Sequence, residues 1–103
     1  MNFKNKVVVI TGASSGIGEA TVIEFAKRGA DIVLVARRKE KLLEVEKKLS
    51  SFSGSSFVCQ CDVSNKDQVT EMSKKILDKF GRVDILVNNA GFVIYGKVNE
   101  LST

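Results

Sequence analysis

The strongest chemical signal in this sequence is the stretch Thr11-Gly12-Ala13-Ser14-Ser15-Gly16-Ile17-Gly18. Glycine lets a backbone turn sharply and come close to a ligand, because no Cβ intervenes. Where such a turn opens a helix, free N–H groups and the helix dipole favour a phosphate. Ser14 and Ser15 add hydroxyl donors. The spacing is G-x-x-x-G-x-G. It differs from G-x-G-x-x-G, and a P-loop would need a Gly-Lys-Ser/Thr ending. Two other polar groups follow apolar runs further on. One is Asp62-Val63 and the other is Asn88-Asn89-Ala90-Gly91.

These groups need a scaffold, and the apolar pattern supplies one. Lys6 to Ile10 is β-branched without alternation, the pattern of a strand buried on both faces. A helix follows from about Ile17 to Arg28, with Val22, Phe25 and Ala26 at 3–4 spacing and Gly29 as its stop. Asp31 to Ala36 is a second buried strand. Lys39 to Leu49 is a helix with Leu42, Val45 and Leu49 inward. Ser50 to Ser56 is a polar loop, and Phe57 to Cys61 a third strand. Ser64 and Asp67 have the form of a capping box before a third helix. That helix has Val69, Met72, Ile76 and Phe80 on one stripe, Ser73 and Leu77 beside it, and Gly81 as its end. Val83 to Val87 is a fourth strand. Phe92 to Thr103 reads as a loop, with Ser102 or Thr103 placed to cap another helix.

Buried strands alternating with amphipathic helices predict an α/β fold with a parallel sheet, because parallel strands need crossover helices. Crossovers are right-handed almost without exception. The expectation is a Rossmann-like doubly wound sheet of four strands in order 3-2-1-4 with three helices.

Composition excludes several other classes. The chain has 103 residues, 44% hydrophobic and 27% charged, which suits one globular domain. No apolar run approaches the ~20 residues of a membrane span. Sixteen basic against twelve acidic residues leave +4. Arg37-Arg38-Lys39 and Lys47-Lys48 carry much of that excess. They alternate with Glu40, Glu44 and Glu46, so a nucleic-acid partner is not expected. Cys59 and Cys61 share one face of a strand and are poorly placed for a mutual disulfide. With no histidine in the chain, they make a poor metal site. Two free thiols and a start without an apolar leader predict a cytoplasmic protein.

The glycine turn, Asp62-Val63 and Asn88-Asn89-Ala90-Gly91 sit at three successive strand ends. Together they resemble the short-chain dehydrogenase/reductase family, whose members are NAD(P)(H)-dependent oxidoreductases on a Rossmann fold. The resemblance covers essentially the whole chain. It implies that Gly12, Ser14, Ser15, Gly16 and Ile17 line the cofactor's pyrophosphate and adenosine ribose. Gly18 would let the helix pack close to the sheet. Asp62 would bond the adenine amino group, with the Val63 backbone against the ring. Asn89, Ala90 and Gly91 would lie along the ribose and pyrophosphate, while Asn88 braces the central strands.

The residues after the second strand point to one cofactor of the two. An NAD enzyme usually places an acid there to hold the ribose 2′-OH. Ala36, eighteen residues after Gly18, cannot accept that bond. Arg37 and Arg38 follow it, and a guanidinium suits a phosphate. NADP(H) is therefore expected over NAD(H), with Arg37 as the main 2′-phosphate ligand and Arg38 in support.

The family's catalytic Tyr-x-x-x-Lys has no counterpart here. Tyr95 is the one tyrosine, Asn99 stands four residues on, and Lys97 has the wrong spacing. Residues 1–103 thus read as a single, truncated cofactor-binding domain with no catalytic residue. The complete protein would transfer hydride between cofactor and a carbonyl or alcohol substrate. The alternative is a non-catalytic dinucleotide-binding or interaction module acting with another chain. An open fourth-strand edge, with Val83, Ile85 and Val87 exposed, predicts self-association.

Overall fold

The computed structural model describes residues 2–89. Four strands and three helices alternate: β1 Val7–Thr11, α1 Gly16–Lys27, β2 Asp31–Ala36, α2 Lys39–Lys47, β3 Ser56–Gln60, α3 Lys66–Phe80 and β4 Ile85–Asn88. All strand pairs are parallel, and the order is β3-β2-β1-β4, as expected. Every residue of β1 is buried. That is why its sequence shows no alternation: both faces are covered.

The two faces hold two cores. Val7, Val9, Val33, Val35 and Cys59 pack on one side with Val69, Met72 and Ile76 of α3. Val8, Ile10, Ile32 and Leu34 pack on the other with Val22 and Ala26 of α1 and Leu42 and Val45 of α2. Leu49 joins the second core just past α2. The chain thus lays α1 and α2 on one face. It then crosses with α3 to the other and adds β4 beyond β1. The reversal leaves a crevice at the C-terminal ends of β1 and β4, where sheets of this kind receive ligands.

Three expectations need correction. The cap of α3 is Asn65, not Ser64: the Asn65 Oδ1 accepts from the Gln68 N–H at 3.1 Å. Ser64 is instead spent on Asp62, whose Oδ1 accepts both its N–H and its hydroxyl. Asp67 makes no return bond to a cap. Second, β4 begins at Ile85, because its pairing with β1 starts at Val8↔Ile85. Asp84 precedes that pairing and uses its carboxylate to accept from the Val7 N–H at 2.8 Å. Third, Val83 is not exposed. At 2% accessibility it belongs to the α3-side core. Ile85 and Val87 are half-buried against the opposite core. The expectations for Ala90, Gly91, Tyr95, Lys97, Asn99 and the stretch 92–103 lie outside the described residues.

Candidate functional site

The site starts from the end of β1. Thr11 is fully buried among aliphatic neighbours. A buried hydroxyl without partners would cost about 1–3 kcal/mol. Here its Oγ1 donates to the Asn88 Oδ1 at 2.8 Å and accepts from the Asn89 N–H at 3.1 Å. The ends of the neighbouring strands β1 and β4 are therefore tied together by side chains as well as by the ladder. Asn88 braces the strands, as the family pattern implies. The amide nitrogen of Asn89 is buried and has no hydrogen-bond partner among the described residues.

The glycine turn follows directly. Gly12 has φ +63°, the left-handed region. Its carbonyl accepts from both the N–H and the hydroxyl of Ser15, at 3.1 and 2.8 Å. The Ser15 Oγ also accepts from the Gly18 N–H at 3.0 Å, so Ser15 is the N-cap of α1. Its hydroxyl already holds the turn together. A Cβ on Gly18 would stand 1.9 Å from the Gly12 carbonyl oxygen, so only glycine lets the helix come this close. A Cβ on Gly16 would meet nothing within 4 Å. Ile17, in the first turn of α1, is a large apolar side chain left 75% exposed.

The ends of β2 and β3 complete the arrangement. A cavity of about 230 Å³ is lined by Gly12, Ser14, Ala36, Arg37, Arg38, Asp62 and Val63, with Val35 and Cys61 behind. The structure thus gathers six of the predicted site residues around one hollow. Ser15, Gly16, Ile17, Gly18 and Asn89 do not line it. They belong to the glycine turn and the β4 end. Neither arginine side chain makes an ion pair among the described residues. Val63 is buried in the α3-side core and also lines the hollow.

Asp62 carries the clearest electrostatic signature. Hydrogen bonds from the Ser64 hydroxyl and N–H hold its carboxyl below the usual 3.8, and the Arg37 charge adds to this. Both of those bonds fall on Oδ1, so Oδ2 keeps its acceptor capacity. Cys61 is buried, and burial with the neighbouring Asp62 charge pushes its thiol up. Burial likewise pushes Cys59 up to about 11, against the opposing pull of Lys75. Both thiols stay protonated and inert at neutral pH. Among the described residues no group of acids or cysteines could hold a metal ion.

Two glutamines were missed by the sequence reading. The Gln68 Oε1 accepts from the Asp62 N–H at 2.7 Å, and the Gln60 Nε2 donates to the Arg37 carbonyl at 3.0 Å. Both are side-chain-to-backbone bonds across chain turns, which no residue spacing announces. The alternation of β3 does place Gln60 opposite Cys59 and Cys61, and that was the available clue.

Residues 6–103 match the family model for short chain dehydrogenases, and the chain belongs to that family. An uncharacterized oxidoreductase of Thermotoga maritima is 43% identical over 102 residues, covering 99% of this chain and 40% of that protein. L-sorbose reductase from Gluconobacter frateurii, complexed with NADPH and L-sorbose, is 42% identical with a TM-score of 0.84. It covers 97% of this chain and 38% of its own. NAD⁺-bound xylitol dehydrogenase is 32% identical with a TM-score of 0.84, covering 89% of this chain and 35% of that one. The chain therefore spans well under half the length of these relatives. No helix among the described residues is long and apolar enough to cross a membrane.

The two helical glycines should separate by stability. Gly18→Ala places a Cβ against backbone that cannot yield, so a loss of about 3 kcal/mol is expected. Gly16→Ala has open space and should stay within about 0.5 kcal/mol of the parent. Urea unfolding followed by circular dichroism measures both. Similar midpoints for the two variants would contradict the packing argument.

Proposed function

We propose that residues 1–103 form one unit that binds NADP(H) in preference to NAD(H), within a protein that transfers hydride between that cofactor and a carbonyl or alcohol substrate. The observation that carries this reading is the 230 Å³ hollow, where Ala36 supplies no acid and Arg37 and Arg38 supply two guanidinium groups without ion partners among the described residues. An NAD-binding site of this kind ordinarily has a carboxylate at that strand end. Relatives include complexes with both cofactors, so the preference rests on these residues of this chain.

The residues present fit a dinucleotide. The empty space over Gly16 admits a close ligand, and the free N–H groups at the start of α1 suit its pyrophosphate. Ser14 and Ile17 flank that position. The unused Oδ2 of Asp62 would accept from the adenine amino group, and the Val63 backbone would meet the ring. The Asn89 amide nitrogen, unpartnered among the described residues, would donate toward the ribose and pyrophosphate side. When bound, the nicotinamide supplies or takes up the hydride. No residue of this chain is assigned to move the proton. In a whole protein of this family the Tyr and Lys of the family pattern would take that role. The cytoplasm suits two free thiols and a redox nucleotide.

Self-association is the second part of the proposal. Among the described residues β4 pairs only with β1, and Ile85 and Val87 are half-covered. A strand with an unpaired edge is a template for a further chain.

Three measurements test this function. In a fluorescence titration the chain should bind NADPH at least about tenfold more tightly than NADH, matching ~1.4 kcal/mol or more from a charge-assisted contact. Arg37→Ala should abolish most of that ratio. Equal affinities in the parent, or an undiminished ratio in the variant, would overturn the assignment. The 103-residue protein should oxidise NADPH no faster than a blank across ketones and aldehydes, and real turnover would refute the missing acid–base pair. Sedimentation at moderate concentration should show dimers or larger species, and a clean monomer would exclude self-association.

A further inference from the structure

Gln60 is an exposed side chain at the end of β3, between two cysteines that point into the α3-side core. It therefore points to the opposite face, toward the turn that joins β2 to α2. Its Nε2 donates to the Arg37 carbonyl at 3.0 Å. The acceptor is a carbonyl, so only the amide nitrogen can face it. The bond from the Cys61 N–H to the Ala36 carbonyl at 2.9 Å continues the β2–β3 ladder. Gln60 extends the attachment by one residue, to the peptide that carries Arg37. No side chain caps the start of α2, since Arg38 makes no cap bond.

Arg37 has two places to go. It lines the 230 Å³ hollow beside Gly12 and Ser14. It also lines a groove of about 960 Å³ along β3 and α3, which Gln60 lines too and where the acids Asp62, Asp67 and Glu71 stand beside the bases Lys39 and Lys75. A guanidinium on a loose turn would divide itself between the phosphate side and those acids. Fixing its peptide fixes the direction in which the side chain leaves the backbone.

We propose that Gln60 is a positioning residue for cofactor choice, holding the Arg37 peptide so that the guanidinium is aimed into the smaller hollow. This rests on the reading that Arg37 takes the 2′-phosphate. The effect of Gln60 is thus confined to the phosphate-bearing cofactor and runs through Arg37.

The test is a set of fluorescence titrations with NADPH and NADH on the parent, Gln60→Ala, Gln60→Glu, Arg37→Ala and the Gln60→Ala/Arg37→Ala double variant. Thermal melts run alongside. Gln60→Glu keeps the shape but cannot donate and adds a negative charge, and Gln60→Ala removes the bond without that charge. Each Gln60 variant should weaken NADPH binding about three- to tenfold, the worth of one hydrogen bond, and leave NADH binding unchanged. In the Arg37→Ala background, Gln60→Ala should change neither affinity. An unaltered NADPH:NADH ratio in the Gln60 variants, while Arg37→Ala collapses it, would overturn the positioning role and leave the cofactor reading standing. So would proportional loss of both cofactors, which marks a structural role. An Arg37→Ala variant with the parent's ratio would overturn the reading itself, and the role of Gln60 with it.

Discussion

A fully buried threonine closes the central strand, and the crevice depends on how its hydroxyl is satisfied. The four residues before Thr11 are Val and Ile, covered on both faces. At Thr11 the hydroxyl must find partners in a place with no water. It finds them in Asn88 and the Asn89 N–H, both at the end of β4. The chain reaches β4 only after passing through β2, β3 and three helices. One hydroxyl therefore couples two strand ends 77 residues apart in sequence. It does so at the point where the sheet reverses its winding.

The glycine turn works from the same anchor. Gly12 follows Thr11 and takes the backbone into the left-handed region, which frees its carbonyl to receive both donors of Ser15. Ser15 then caps α1, and Gly18 allows that helix to lean on the turn. In this arrangement Ser15 and Gly18 serve the protein's own geometry. Gly16, with nothing above it, is the position that leaves room for something else. The motif thus separates into residues that build the turn and one that keeps it open.

Most of the fold was legible because burial on both faces leaves a strong trace. Unbroken Val/Ile runs marked the strands, and β2 spans Asp31–Ala36 as read. The stripe of Val69, Met72 and Ile76 marked α3. The errors fall where side chains choose between neighbouring backbone groups. Ser64 and Asn65 are both good caps, and the choice went to Asn65 because Asp62 had already engaged Ser64. Val83 read as a strand residue with an exposed face. Yet the Asp84 carboxylate on the Val7 N–H fixes the start of pairing and leaves Val83 free to turn into the core. In the site, the strand-end residues were legible through their spacing. The glutamines that hold them were not, because a bond to a backbone carbonyl asks nothing of the acceptor's identity.

Cofactor choice in this site depends on bonds of the same kind. An acid at the end of β2 selects by a direct bond to a ribose hydroxyl. An alanine followed by arginines has no such fixed acceptor, and long flexible side chains lose rotamer freedom when they hold a ligand. In the proposed reading, preference then depends on how much of that freedom the protein has already removed. Asp62 matters here as well. Its charge lies near Arg37, and the Ser64 donors hold its carboxyl below the ordinary carboxylate range, so it is ionised at neutral pH. A guanidinium between a fixed carboxylate and an incoming phosphate is drawn both ways. In the proposed reading Arg37 supplies the charge that selects, and the bonds to the Arg37 carbonyl and from the Asp62 N–H hold in place the backbone that carries both groups to one hollow.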